Sequence, residues 1–166
     1  MTRTFLVALA GALTALCLSA PAHAAGPKLW ATVNLCDSKK HAGMMGVRAR
    51  MPGLRHGGKR QRMFMRFTAE YRAGGKWQAV DHGQTGWIPA GPATRGYQDR
   101  GYNFPLKVPK GASFVFRGRV NFEWRKHSSG RIVKSRVRLT EPGHPTASSE
   151  PKGHSRSTCK ISGPPA

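Results

Sequence analysis

Residues 63–72 read MFMRFTAEYR, and this stretch decides the fold class of the chain. Its odd-numbered positions are apolar, and its even-numbered positions are mostly charged or polar. This period of two is typical of a β-strand with one buried face, because a helix repeats about every 3.6 residues. Residues 73–76, AGGK, then indicate a tight turn into a second strand.

The same alternation recurs along most of the chain, and helix signals are nearly absent after Ala25. We predict an all-β chain of about seven to eight strands, arranged as an immunoglobulin-like antiparallel β-sandwich. The Gly- and Pro-rich residues 81–100 are expected to be mostly loop, and residues 158–161 a last short strand. The expected core comprises Trp30, Met45, Met63, Met65, Phe67, Phe116, Phe122, Trp124, Val133 and Val137.

The N-terminal residues have the pattern of an export signal. Arg3 precedes an apolar run at 5–18 that is too short to span a bilayer, and a small-residue A-x-A sequence ends at Ala24. We predict that residues 1–24 are a cleaved signal peptide and that the protein is secreted, extracellular or in the cell envelope. No transmembrane segment is predicted in the mature chain. Cleavage after Ala22 is the alternative.

The mature chain has the size of one domain. We predict a single β-sandwich over residues 25–162, with an extended Pro/Gly/Ser loop at 141–157 and a frayed end at 163–166. Export places Cys36 and Cys159 in an oxidising compartment, where we expect them to form a disulfide. Two free thiols or a metal-binding pair are the alternatives, although no histidine lies at ligand spacing.

Two stretches resemble strands of fibronectin type III and immunoglobulin-like domains. They are MRFTAEYRAGGKWQAV (65–80) and VPKGASFVFRGRVNFEW (108–124). Over most of residues 28–162, the chain also resembles uncharacterised secreted proteins of high-GC actinobacteria, in which WATVNLCDS, GWIPAG and TCKI are typical. The resemblance implies a secreted β-sandwich and brings no catalytic residue. Phe114 stands where such sandwiches often have a corner tyrosine, so that hydrogen bond is missing.

The chain is strongly basic, with 28 Lys and Arg against 7 Asp and Glu, and this charge attracts polyanions in general. If 127–130 is a hairpin loop, Glu123 pairs with Lys134, and Arg119 pairs with Arg138, on one outer face. We predict a basic face that attracts cell-wall or other polyanions, made of Arg117, Arg119, Arg125, Lys126, Lys134, Arg136 and Arg138. A solvated face without a ligand is the alternative, and no specific nucleic acid is predicted.

No catalytic residue, metal ligand or cofactor is predicted, because the acidic residues are not paired in sequence and the histidines are scattered. Five methionines could bind copper through their soft sulfur atoms, but four of them lie on apolar strand faces, as core methionines do. We therefore predict a non-enzymatic binding or cell-envelope interaction module. The alternative is a small periplasmic or extracellular metal-handling protein or enzyme. The oligomeric state leaves no signal in the sequence.

Overall fold

The computed structural model describes residues 28–54, 56, 58–94 and 96–166. The predicted signal peptide, residues 1–24, and both cleavage sites lie outside the described residues. One 3-10 turn at Gly58–Arg60 accompanies the strands. The strands are β1 (Trp30–Ser38), β2 (His41–Pro52), β3 (Gln61–Ala73), β4 (Lys76–Gln84), β5 (Ile88–Pro92), β6 (Tyr97–Pro105), β7 (Ser113–Lys126), β8 (Ile132–Leu139) and β9 (Cys159–Ser162).

These strands form two antiparallel sheets, which confirms the predicted all-β sandwich. The smaller sheet has the order β1-β2-β6, and the larger sheet has the order β4-β3-β7-β8. In the larger sheet, β5 extends the edge of β3 beyond β4, and β9 extends the edge of β7 beyond β8. The smaller sheet meets β8 only near β1, so the larger sheet projects beyond the smaller one at β8.

The inner faces of the two sheets form one apolar core. Its largest fully buried side chains include Trp124, Phe67 and Phe122. Four methionines expected in the core are at most 1% exposed: Met45, Met51, Met63 and Met65. The core prediction is wrong for Val133 and Val137, which are 39% and 42% exposed, because the smaller sheet does not cover β8.

The prediction that residues 81–100 are mostly loop is wrong. They include the end of β4, all of β5 and the start of β6. Pairing with β3 supplies backbone hydrogen bonds whatever the local composition, so pairing outweighs the low strand propensity of Gly and Pro. Pro89 and Pro92 are tolerated because β5 pairs along one edge only, which leaves its other edge without ladder hydrogen bonds.

Residues 141–158 cover β1 rather than extending into solvent. The hydroxyl oxygens of Ser155 and Thr32 lie 2.7 Å apart, and the Asn34 amide nitrogen donates to the carbonyl oxygen of Ser148 at 2.6 Å. As a result, the polar side chains of Thr32 and Asn34 are buried, at 0% and 1% exposure. This segment therefore closes a strand that would otherwise be a free edge of the smaller sheet.

The predicted disulfide between Cys36 and Cys159 is confirmed. The two sulfur atoms are 2.10 Å apart and join positions separated by 123 residues. Cys36 belongs to β1 and Cys159 to β9, so the bond links the smaller sheet to the larger one. The disulfide therefore holds one end of β1. Near the other end, the Glu141 backbone N–H donates to the Ala31 carbonyl oxygen.

Candidate functional site

The predicted basic residues fall into two groups in the structure. Arg117, Arg119 and Arg125 lie on the outer face of β7, and we call them the outer row. Lys134, Arg136 and Arg138 lie on β8, and we call them the β8 row. Lys126, also predicted, is exposed at the end of β7. The two rows differ in the partners that neighbouring strands provide.

The first two arginines of the outer row share a buried carboxylate. Arg117 donates from Nε to Glu70 Oε2 at 2.7 Å, and Arg119 Nη1 lies 3.8 Å from Glu70 Oε1. Glu70 lies directly opposite Arg117 in the β3–β7 register and is only 7% exposed. The Arg117 guanidinium also lies 4.2 Å from the centre of the Trp77 ring. Burial of this carboxylate requires these cations, so they serve the fold.

The third arginine of the outer row is held by a carboxylate and two aromatic rings. Arg125 contacts Glu123 Oε2 at 2.7 Å and lies 4.5 Å from the Phe64 ring and 4.6 Å from the Trp87 ring. Arg66 lies over the same indole at 4.7 Å. Cation–π contacts of this kind hold guanidinium groups flat against the sheet. The outer row is therefore largely neutralised and stacked.

The predicted pairing of β7 with β8 is wrong by one residue. In place of Glu123 with Lys134, the structure pairs Trp124 with Lys134 and Phe122 with Arg136. The register shifts between Trp124, which pairs with Lys134, and Arg125, which pairs with Ile132. A one-residue slip moves every side chain of a strand to the other face, so the β8 row and the outer row lie on opposite faces.

The observed pairing differs from the predicted one because β8 has no buried face. A hydrophobic pattern fixes strand register only where one face is buried, and all eight residues of β8 are exposed. The apolar side chains of β8 therefore lie on the outer face beside the arginines of β7. Ile132 is 51% exposed, and Val137 and Leu139 are each 42% exposed.

The β8 row has no carboxylate partner within 4.0 Å in the part of the chain that the structure describes. Arg136 and Arg138 bond only carbonyl oxygens of their own strand, at 2.8 and 3.1 Å. The Lys134 ammonium lies 4.8 Å from the Trp124 ring. Successive same-face positions on a strand are about 6.6–6.8 Å apart, so the row is a regular line of free cations.

The backbone edge of β8 that faces away from β7 pairs with no strand among the described residues. Inward-pointing charges on such an edge discourage pairing with another apolar strand. β8 thus offers a free edge, a basic face and an apolar face in a single segment.

Sequence reasoning missed the aromatic cover of the outer row. Phe122 and Trp124, which were expected in the core, alternate with the arginines on β7 and are buried on the other face, at 0% and 1% exposure. The rings that do contact arginines belong to neighbouring strands and loops: Phe64, Trp77 and Trp87. The sequence shows that Phe64 and Arg66 lie on the same face of a strand. It does not show which strand pairs with it, so the contact of Arg125 with Phe64 could not be predicted.

Comparison with protein-family models, curated proteins and solved structures finds no match for this chain. In the described ranges, no helix is long and apolar enough to cross a membrane. Within those same ranges, no three His, Cys, Asp or Glu side chains come together in a group that could hold a metal ion.

Proposed function

We propose that this protein is a secreted, non-catalytic module that binds an anionic polymer of the cell envelope along β8. The observation that carries the proposal is the contrast between the two rows: the arginines of β7 have carboxylate partners, and the β8 row has none among the residues that the structure describes. Free cations on a fully exposed strand keep their charge available to a ligand.

The geometry of the β8 row favours a polymer over a small anion. Three cations in a line, about 6.6–6.8 Å apart, can each meet a separate phosphate, sulfate or carboxylate group of an extended chain. Such binding releases counterions and weakens steeply with salt. The high net charge of +21 adds a long-range attraction that speeds encounter.

The envelope location is supported by the sequence pattern of an export signal and by the disulfide, which is typical of oxidising compartments. The competing interpretation is that the β8 row only prevents strand-to-strand aggregation. That interpretation predicts no preference for a polyanion at this strand beyond the effect of net charge.

Charge reversal at matched positions tests the proposal. The variant Arg136→Glu with Arg138→Glu is compared with Lys39→Glu with Lys40→Glu, which changes the net charge equally in the exposed β1–β2 turn. We expect the β8 variant to elute from heparin at clearly lower salt than the control and to lose at least tenfold in affinity for polyphosphate. Equal effects of the two variants would show that only net charge matters.

A further inference from the structure

A surface groove lies on the outer face of the smaller sheet, away from β8. Its volume is about 450 Å³, within the usual range for small-molecule sites. Its floor includes Trp30, Arg48 and Gly101, one from each strand of the sheet, and its wall includes Thr146 and Ser148. The segment that closes β1 therefore also forms one side of a concave site.

Two arginines on the same face of β2 differ in this region. Arg50 forms two hydrogen bonds of 2.8 Å with Asp99, and these bonds raise the pKa of Arg50. It also lies 3.6 Å from the Tyr97 ring and 5.3 Å from the Trp30 ring. Asp99 is therefore satisfied, and its charge is balanced within the protein.

Arg48 has no such partner. Its Nε donates to Ser148 Oγ at 3.0 Å, and its Nη1 donates to the Val47 carbonyl oxygen at 3.2 Å and to Asn103 Oδ1 at 3.3 Å. All three acceptors are neutral, and burial lowers the pKa of Arg48. A guanidinium has five N–H donors, so two remain, and Nη2 has no partner among the described residues.

The groups around Arg48 are held in place by the fold. Arg48 lies across Gly101, where any β-carbon would collide with its side chain. Ser148 is fixed by Asn34, whose amide nitrogen donates to its carbonyl oxygen at 2.6 Å. Thr146 Oγ1 lies 3.1 Å from Ser148 Oγ, so two hydroxyl groups sit together beside the guanidinium.

We infer that this groove binds the oxyanion head, carboxylate or phosphate, of a small molecule. The free Nη2 of Arg48 and the hydroxyl groups of Ser148 and Thr146 contact the head, and the body of the ligand lies along the rest of the groove. A half-buried guanidinium surrounded by neutral acceptors gains most from a charged oxygen acceptor, and its planar fork suits carboxylate and phosphate. This site is separate from β8 and does not depend on the proposed function.

The alternative is that Arg48 only anchors residues 146–149 to the sheet. Both interpretations predict some loss of stability when Arg48 is replaced. Only the binding site predicts a saturable response to an anion that is localised to the groove, so ligand titration separates the two.

The test is a titration of the folded protein with inorganic phosphate, and in a second arm with acetate, at constant ionic strength, followed by nuclear magnetic resonance. We expect saturable shifts of the Arg48 Nε–H and of the Gly101 and Ser148 amides. Arg48→Gln should raise the dissociation constant at least tenfold, whereas Lys40→Gln, which removes the same charge from the exposed β1–β2 turn, should leave it unchanged.

A second variant tests the site independently in case Arg48→Gln does not fold. Ser148→Ala with Thr146→Val keeps every charge and should weaken binding several-fold. Saturation by either anion supports the site, and the stronger anion identifies the preferred head group. Shifts that never saturate, or that are the same in Arg48→Gln, would overturn the inference.

Discussion

The outer row and the β8 row contain the same kinds of side chain, lie on adjacent strands and alternate with the same period, yet their environments differ. Glu70 and Glu123 neutralise the first row, and Trp87 covers part of it. Among the described residues, the second row contacts carbonyl oxygens and the Trp124 ring but no carboxylate. The difference shows that the charge available to a ligand is set by the neighbouring strand and cannot be counted from composition.

Strand position explains this difference. β7 is a central strand, so its outer arginines lie beside Glu70 and Phe64 of β3, and Glu123 of β7 itself adds a second carboxylate. β8 is an edge strand whose only paired strand among the described residues is β7, and the smaller sheet does not cover it. A cation on β7 therefore stabilises the fold, and a cation on β8 remains free to bind.

The largest stability effect should come from removing the buried carboxylate of the outer row. Glu70→Gln leaves Arg117 partly buried without a counter-charge and should lower the free energy of unfolding by about 2–3 kcal/mol. Denaturant unfolding of the oxidised protein measures it. Glu141→Gln, the same chemical change at an exposed ion pair, should cost less than about 0.5 kcal/mol. Equal costs would contradict the distinction between paired and free positions.

A smaller effect is expected from the aromatic cover. Trp87→Ala removes the ring shared by Arg66 and Arg125 and should cost about 1–2 kcal/mol, since each partly exposed cation–π contact contributes about 0.5–1 kcal/mol. Trp87→Phe keeps a ring and should recover part of that loss in the same unfolding experiment. No difference between the two variants would show that the cation–π contacts contribute nothing.

The β8 row should contribute almost nothing to stability. Arg136→Gln with Arg138→Gln should change the free energy of unfolding by less than about 0.5 kcal/mol, as exposed substitutions usually do. Arg117→Gln, which leaves Glu70 buried without its closest cation, should cost more than that double change. A double variant as unstable as Arg117→Gln would indicate that β8 has partners in solution.

The smallest effect on stability should come from the protonation of His154. Burial and the nearby Arg156 lower the pKa of His154 below its ordinary value of about 6.5, and its Nε2 is buried without a partner. The unfolded chain therefore takes up a proton before the folded chain does. Stability should be full above pH ~6.5 and fall as the pH drops through the folded-state pKa. His154→Gln should flatten this part of the pH–stability curve, and an unchanged curve would exclude His154 as its source.

The sequence was sufficient for the parts of the fold that depend on local pattern. Alternation in residues 63–72 indicated a half-buried strand, and the AGGK turn indicated a hairpin; both are present in β3 and β4. The disulfide followed from compartment and cysteine count and is present. The strand and hairpin predictions use only residues that are neighbours in sequence. The disulfide prediction needs no more, because two cysteines allow only one intramolecular pairing.

The features that depend on how many strands each sheet contains could not be predicted from local sequence pattern. Val137 looks like an inward-facing residue, and it would be one if a fourth strand of the smaller sheet covered β8. The pairing of Glu70 with Arg117 and the meeting of Arg48 with Ser148 join positions separated by 47 and 100 residues. The predicted pairing placed the β8 row on the same face as the outer row, and the structure places the two rows on opposite faces. That the β8 row binds a polyanion stays a prediction.

The contacts between β1 and the segment that covers it have a consequence for how quickly the chain folds. The Thr32 and Ser155 hydroxyl groups meet across 123 positions, so β1 stays incompletely covered until residues as far as Ser155 have been synthesised. Contacts this distant slow folding, because a long loop must close before any of them forms. A newly made chain of this kind therefore stays unfolded for longer than a chain whose contacts are mostly between sequence neighbours.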